Sequence, residues 1–253
     1  MTMGLAVYGD FGSAACYLAS RRVDVLQAAG TSVDWRAVET DPRLPVRGRP
    51  VEAADHEALA GEIDRLGALL LPHEELPRSV PAFRPNTHSA VSAYAVAYEA
   101  GVADDVRRLL FDAYWTSGTD IGSPESLRRL LTGPLRRGHS PSLPVSEFGY
   151  AVSPSRSPIT TGAYRRMREW SHQREILGDP PLPLLVVDEW QPVFGETALR
   201  RLEKELLRTG APVDVPLPDP ARQPDVGDRP DPRWVAEIGG RWRHAWKADP
   251  RTS

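Results

Sequence analysis

Ser13 and Cys16 stand three residues apart in Asp10-Phe11-Gly12-Ser13-Ala14-Ala15-Cys16-Tyr17-Leu18, where a short apolar run gives way to helical spacing. A helix that starts here has Ser13 as its N-cap. Its first turn offers unpaired backbone N–H groups and the positive end of the helix dipole, both of which favour an anion. A hydroxyl in that place can donate a hydrogen bond to the thiolate of a bound small-molecule thiol, or it can do no more than cap the helix. Cys16 lies one turn further in. On an apolar helix face it is packing; beside Ser13 it is a buried thiol able at most to form a mixed disulfide. Far along the chain, Pro183 opens the apolar run Leu182-Pro183-Leu184-Leu185-Val186-Val187-Asp188. A proline cannot donate to a strand ladder, so its position needs a reason. A cis peptide that turns the preceding backbone toward a neighbouring site is one; an ordinary trans strand start is the other.

Other chemistries lack their residues. His56, His73, His88, His139, His172 and His244 are scattered without metal-ligand spacing, and His73-Glu74-Glu75 is not a His-Glu-x-x-His motif, so no metal is expected. Asp10-Phe11-Gly12 stands without the rest of a kinase signature. Gly-x-Gly-x-x-Gly, Walker and Gly-x-Ser-x-Gly motifs do not occur. With Cys16 the sole cysteine, an intramolecular disulfide is impossible. The net charge of −3 supplies no basic field for nucleic acid or a membrane surface. Basic residues are arginines except Lys204 and Lys247, a compositional bias rather than a functional signal. The N-terminus has no signal-peptide pattern and the longest apolar run, Leu66 to Leu71, is too short to cross a bilayer, so the expected location is the cytoplasm.

The elements that must position these residues follow from periodicity. Leu5 to Tyr8 reads as a buried strand, Ser13 to Ala29 as a helix stopped by Gly30, and Val33 to Val38 as a second strand with Val33, Trp35 and Ala37 on one face. This β-α-β start implies an α/β domain. Helices are expected over Ala53–Leu71, Ser89–Ala100, Ala103–Trp115, from Ser123-Pro124 onward, and over Thr160–Leu177. The Pro-, Ser- and Gly-rich stretch Gly133 to Pro158 is expected to be a long loop. Two strands, Pro183–Val187 and Trp190–Phe194, and a helix Glu196–Arg208 return to the α/β pattern. After Gly210 comes a Pro-rich linker and a tail with Trp234, Ile238, Trp242 and Trp246 four apart.

Several segments, in order, resemble one family. Cys16-Tyr17-Leu18-Ala19, Val33-Asp34-Trp35-Arg36, Arg84-Pro85-Asn86-Thr87-His88-Ser89-Ala90, Phe111-Asp112-Ala113-Tyr114-Trp115 with Gly118-Thr119-Asp120-Ile121, Leu182-Pro183-Leu184-Leu185-Val186 and Val193-Phe194-Gly195 resemble matching segments of DsbA/FrnE-like proteins. The resemblance implies a thioredoxin-like α/β fold. Residues 1–50 and 178–210 would form the thioredoxin-like domain, 51–177 a large all-helical insertion, and 211–253 a linker and tail outside the resemblance. It also implies that Pro183 is the family's cis-proline. The redox members carry Cys-Pro-x-Cys; Ser13, Ala14, Ala15 and Cys16 stand there instead, which excludes dithiol oxidase or reductase chemistry. A sister group, the kappa-class glutathione transferases and 2-hydroxychromene-2-carboxylate isomerases, has serine at the first position, where its hydroxyl activates glutathione sulfur.

On that resemblance Ser13 and Cys16 are the catalytic candidates, and Leu182, Pro183, Glu196 and Thr197 would hold a low-molecular-weight thiol. Glu196-Thr197 replaces the sister group's Ser/Gln-Asp pair, which leaves the thiol open between glutathione and an analogue. Phe11 and Asn86 would line a pocket for a small hydrophobic substrate. Three readings stay open: a thiol-dependent isomerase, transferase or oxidoreductase; a binding or scaffold protein that lost the catalytic cysteine; and a monothiol redox protein acting through Cys16. The sequence leaves a homodimer open as well.

Overall fold

A computed structural model of the chain describes residues 4–210 apart from His73, Arg78 and residues 188–190. The tail with its four-residue tryptophan spacing lies outside the described residues. Three apolar segments build the centre: β1 (Leu5–Gly9), α1 (Ala14–Ala28) and β2 (Val33–Ala37). β1 and β2 are parallel, Leu5 opposite Val33 and Gly9 opposite Ala37. Alternation in β2 buries Val33, Trp35 and Ala37 and leaves Asp34 and Arg36 part-exposed, as a half-buried strand requires.

The chain then leaves the sheet. A two-residue ladder joins β3 (Arg49–Pro50) to β4 (Phe83–Arg84) across α2 (Ala53–Gly67). Five further helices follow: α3 (His88–Glu99), α4 (Ala103–Trp115), α5 (Pro124–Arg137), α6 (Leu143–Phe148) and α7 (Thr161–Ile176). The loop expected over 133–158 is in part helical. Leu127, Leu131 and Leu135 recur every four residues and are buried, so the apolar stripe carries α5 past Gly133 and Pro134. Pro144 in the first turn of α6, where an N–H has no helical partner to lose, allows that short helix to form.

The return to the sheet is antiparallel: β5 (Leu184–Val187) pairs with β1, and β6 (Gln191–Phe194) pairs with β5, giving the order β2-β1-β5-β6. α8 (Gly195–Thr209) closes the unit and packs along α1. Arg22 of α1 is fully buried between them. Its guanidinium donates to the carbonyls of Leu199 (2.7 Å) and Leu69 (2.6 Å) and pairs with Glu74 at 2.8 Å. A buried cation is tolerable only when its donors are satisfied in this way.

An aromatic core seats the helical insertion on the sheet. Phe111 of α4 lies 4.9 Å from the Phe11 ring and meets Trp35 edge-on at 5.7 Å. Tyr94 of α3 donates its hydroxyl to the Trp35 carbonyl at 3.0 Å. Burial of each ring contributes about 2–3 kcal/mol, and the offset and edge-on geometries suit aromatic quadrupoles. A Cβ at Gly9 would collide with the Trp35 indole, so only glycine lets that ring cross the end of β1.

Candidate functional site

The end of the sheet at the C-termini of β1 and β2 is where the candidate residues gather. β1 stops at Gly9, and the turn Asp10–Gly12 leads into α1. Asp10, 4% exposed, holds that turn: its backbone carbonyl accepts from Ser13 N (3.2 Å), Oδ1 from Gly12 N (3.0 Å) and Oδ2 from Thr40 N (2.6 Å). Ser13 follows with extended backbone (φ −102°, ψ 127°) and caps α1, its Oγ accepting from Cys16 N at 3.3 Å. Ser13 is part-exposed, so a ligand can reach it.

Cys16 is fully buried, and burial pushes its thiol up to about 12, opposed only in part by the Ser13 hydroxyl. A thiol in that state is neither a nucleophile nor a metal ligand at neutral pH. Its contribution is packing. Near the same first turn, Glu62 of α2 interacts with the Ala15 N–H, yet burial still raises its carboxyl above the ordinary value.

Across the sheet, the antiparallel register pairs Tyr8 with Leu184. Pro183 and Leu182 precede that last pair, at the end of the sheet where β1 gives way to the Asp10 turn. The Leu182–Pro183 peptide is cis. The Pro183 carbonyl accepts from Gly195 N at 2.9 Å, which fixes the start of α8 beside it. Among the described residues the backbone N–H and C=O of Leu182 have no hydrogen-bond partner. Arg174 of α7, 8% exposed, clamps the segment that leads there, donating to the Pro180 carbonyl (3.2 Å) and to the Glu39 carbonyl beyond β2 (3.1 Å). Ser13, Leu182, Pro183 and the first turn of α8 with exposed Glu196 and Thr197 thus share one end of the sheet.

Phe11 and Asn86 do not open onto that end. Phe11 is fully buried in the aromatic core, and its carbonyl accepts from Trp115 Nε1 at 3.0 Å. Asn86, 6% exposed, spends its amide on the Leu44 carbonyl (2.9 Å) and the His88 N–H (3.1 Å). Phe11 is thus taken up by packing and Asn86 by backbone hydrogen bonds.

Sequence reasoning missed a titratable pair beside that turn. His88 Nδ1 lies 2.7 Å from Glu39 Oε1. Glu39 precedes Thr40, which is bound to Asp10, and His88 follows Thr87, whose methyl lies 3.5 Å from where a Cβ on Gly12 would stand. The Glu39 carboxylate raises the His88 imidazole above its usual value, against burial and Arg156. The partners are 49 residues apart, so no local spacing could have signalled them. Among the described residues no three potential metal ligands cluster. No described helix is long and apolar enough to cross a membrane.

A β-α-β unit and an antiparallel β-β-α unit joined on one sheet, with a cis-proline at the end of the sheet where the first helix begins, define a thioredoxin fold interrupted by helices. The model of the DSBA-like thioredoxin domain matches residues 5–133, and the chain belongs to that family. Its structure is similar to that of a probable DsbA oxidoreductase from Streptomyces coelicolor, at a TM-score of 0.62 and 20% identity over 90% of this chain and 100% of that one. The cytosolic disulfide reductase DsbM from Pseudomonas aeruginosa, with GSH, is matched at a TM-score of 0.51 and 16% identity over 82% of this chain and 97% of that one. A 2-hydroxychromene-2-carboxylate isomerase is matched at 0.48 and 17% identity over 81% and 95%. No curated protein matches the sequence. The chain is thus a member of the DsbA-like thioredoxin superfamily.

Proposed function

We propose that the protein is an enzyme of this superfamily that works with a low-molecular-weight thiol, glutathione or an analogue, bound between the Ser13 turn and Leu182. The observation that carries the reading is the free backbone of Leu182, held at the same end of the sheet as the turn that Ser13 ends. An extended thiol peptide can pair with that N–H and C=O as a short added strand. Its sulfur then comes to the N-terminus of α1, where Ser13 can donate its hydroxyl proton and the helix dipole favours the thiolate. Glu62, with its raised carboxyl at the same turn, is suited to accept the proton that leaves sulfur: the S–H bond breaks, the electron pair stays on sulfur and the carboxylate becomes a carboxylic acid. DsbM, a member of the same fold seen with GSH, lends support. Cys16 is too deeply buried to take the sulfur's place.

Reduced glutathione, cysteine and coenzyme A titrated into the full chain test this. Calorimetry should detect binding of at least one, and thiolate absorbance should rise at neutral pH. Ser13→Ala should lower the thiolate fraction about 100-fold, the loss expected for one preorganised donor. If none of the three binds, or if Ser13→Ala leaves the thiolate signal unchanged, the reading fails.

A further inference from the structure

The groove along α7 is reached by Glu39 and His88, the chain neighbours of Thr40 and Thr87, which touch the Asp10–Gly12 turn. It is an open groove with a volume of about 980 Å³, within the range of small-molecule sites, and Glu39, His88, Tyr164, Arg165, Arg168 and His172 are among its walls. The charged groups in it are not balanced alike. Each carboxylate has a partner on the protein: Glu39 with His88 (2.7 Å), Glu169 with Gln173 (2.5 Å) and Glu175 with His172 (3.8 Å). Arg165 and Arg168 have no hydrogen-bond or ion-pair partner among the described residues, and neither has His88 Nε2. Glu39 occupies Nδ1, so the nitrogen left to the groove is Nε2, a donor whenever the ring is charged.

We infer that this groove binds a small organic anion, with Arg165 and Arg168 as its counter-charges and His88, oriented by Glu39, as its hydrogen-bond donor and acid–base group. The inference names the second ligand of the site proposed above and rests on that reading only for its catalytic meaning. Glu39 acts through His88 and is a positioning residue. Around His88 stand Glu39 beyond β2, Arg156 before α7, and Arg165, Arg168, Glu169, His172 and Glu175 on α7. Glu39 favours the charged ring more than burial and Arg156 oppose it.

The test is an NMR titration of the His88 side chain in the full chain, free and with benzoate, with benzamidine as the cationic control. Benzoate should bind and move the His88 midpoint upward; benzamidine should do neither. Glu39→Gln should lower the midpoint of the free protein by about one pH unit or more, a change that a merely structural contact would not produce. The double variant Arg165→Ala/Arg168→Ala, made at two exposed positions, should weaken benzoate at least tenfold. Absence of a benzoate effect on His88, equal binding of benzamidine, or an unmoved midpoint in Glu39→Gln would each overturn the inference. Glutathione binding in the same samples separates the two readings: benzoate failing while glutathione binds sinks this one alone, and the converse sinks only the other.

Discussion

The Ser13 end of the sheet and the groove along α7 form two walls built on different terms. The sheet-side wall, from Asp10 to Ser13 and from Pro180 to Pro183, is fixed by buried polar groups bonded to backbone: Asp10 to Gly12 and Thr40, Arg174 to Glu39 and Pro180. What it presents is a hydroxyl and a free peptide unit. The wall made by α3 and α7 carries side chains that are more exposed and charged, with His88 39% and Glu39 21% exposed. Rigid backbone suits a wall that must hold one ligand the same way each time. Exchangeable side chains suit a wall that sets which second molecule is accepted. The difference teaches that backbone fixation is concentrated on the first wall and exchangeable charge on the second.

Asp10→Ala attacks the first wall hardest. It removes the charged acceptor of the Gly12 and Thr40 N–H groups, each bond to a charged group being worth about 1.5–3 kcal/mol, so denaturant unfolding should show a total loss of about 3 kcal/mol. An effect under half that size would mean that the turn is not held by Asp10, and the contrast between the walls would collapse. Ser13→Ala should cost much less, about 1 kcal/mol, the worth of one N-cap. Cys16, on the same helix, should resist alkylation by iodoacetamide in the native protein and react once unfolded, because its thiol stays protonated up to about 12. Rapid native labelling would place Cys16 at the surface and reopen the monothiol reading.

The first wall was the more legible in sequence for a physical reason. Ser13 as a cap and Cys16 as core were among the readings open in sequence, because capping and helical burial are local, and the cis form of Leu182-Pro183 came from the family resemblance. The α/β character of both ends was readable from two apolar segments separated by helices, whereas the order of the strands was not. The second wall could not be read that way. His88 looked like one of six scattered histidines until folding brought Glu39 to its Nδ1. Asn86 and Phe11 were expected at a pocket, yet their side chains are consumed by backbone hydrogen bonds and ring packing that only the folded insertion creates. The Pro-rich stretch over 133–158 misled in the same way, since three leucines at helical spacing outweighed the local breakers.

The smallest expected effect is also the sharpest discriminator between the walls, because only the second should depend on pH near neutrality. His88 is held above its ordinary value in the folded protein, chiefly by Glu39. A raised folded value means that the unfolded chain gives up this proton first as pH rises. The stabilisation from the pair is therefore complete below the unfolded histidine value of about 6.5 and disappears as pH climbs through the higher folded one. Comparing unfolding of the native chain with His88→Gln should show a gap of under about 1 kcal/mol at pH 6, as befits a part-exposed pair. That gap should close on the alkaline side, while the deficit of Asp10→Ala stays constant across the same range. A gap that widens with pH would mean that His88 is stabilised neutral rather than charged, and the second wall would then have no standing cation at Nε2 to offer an anion.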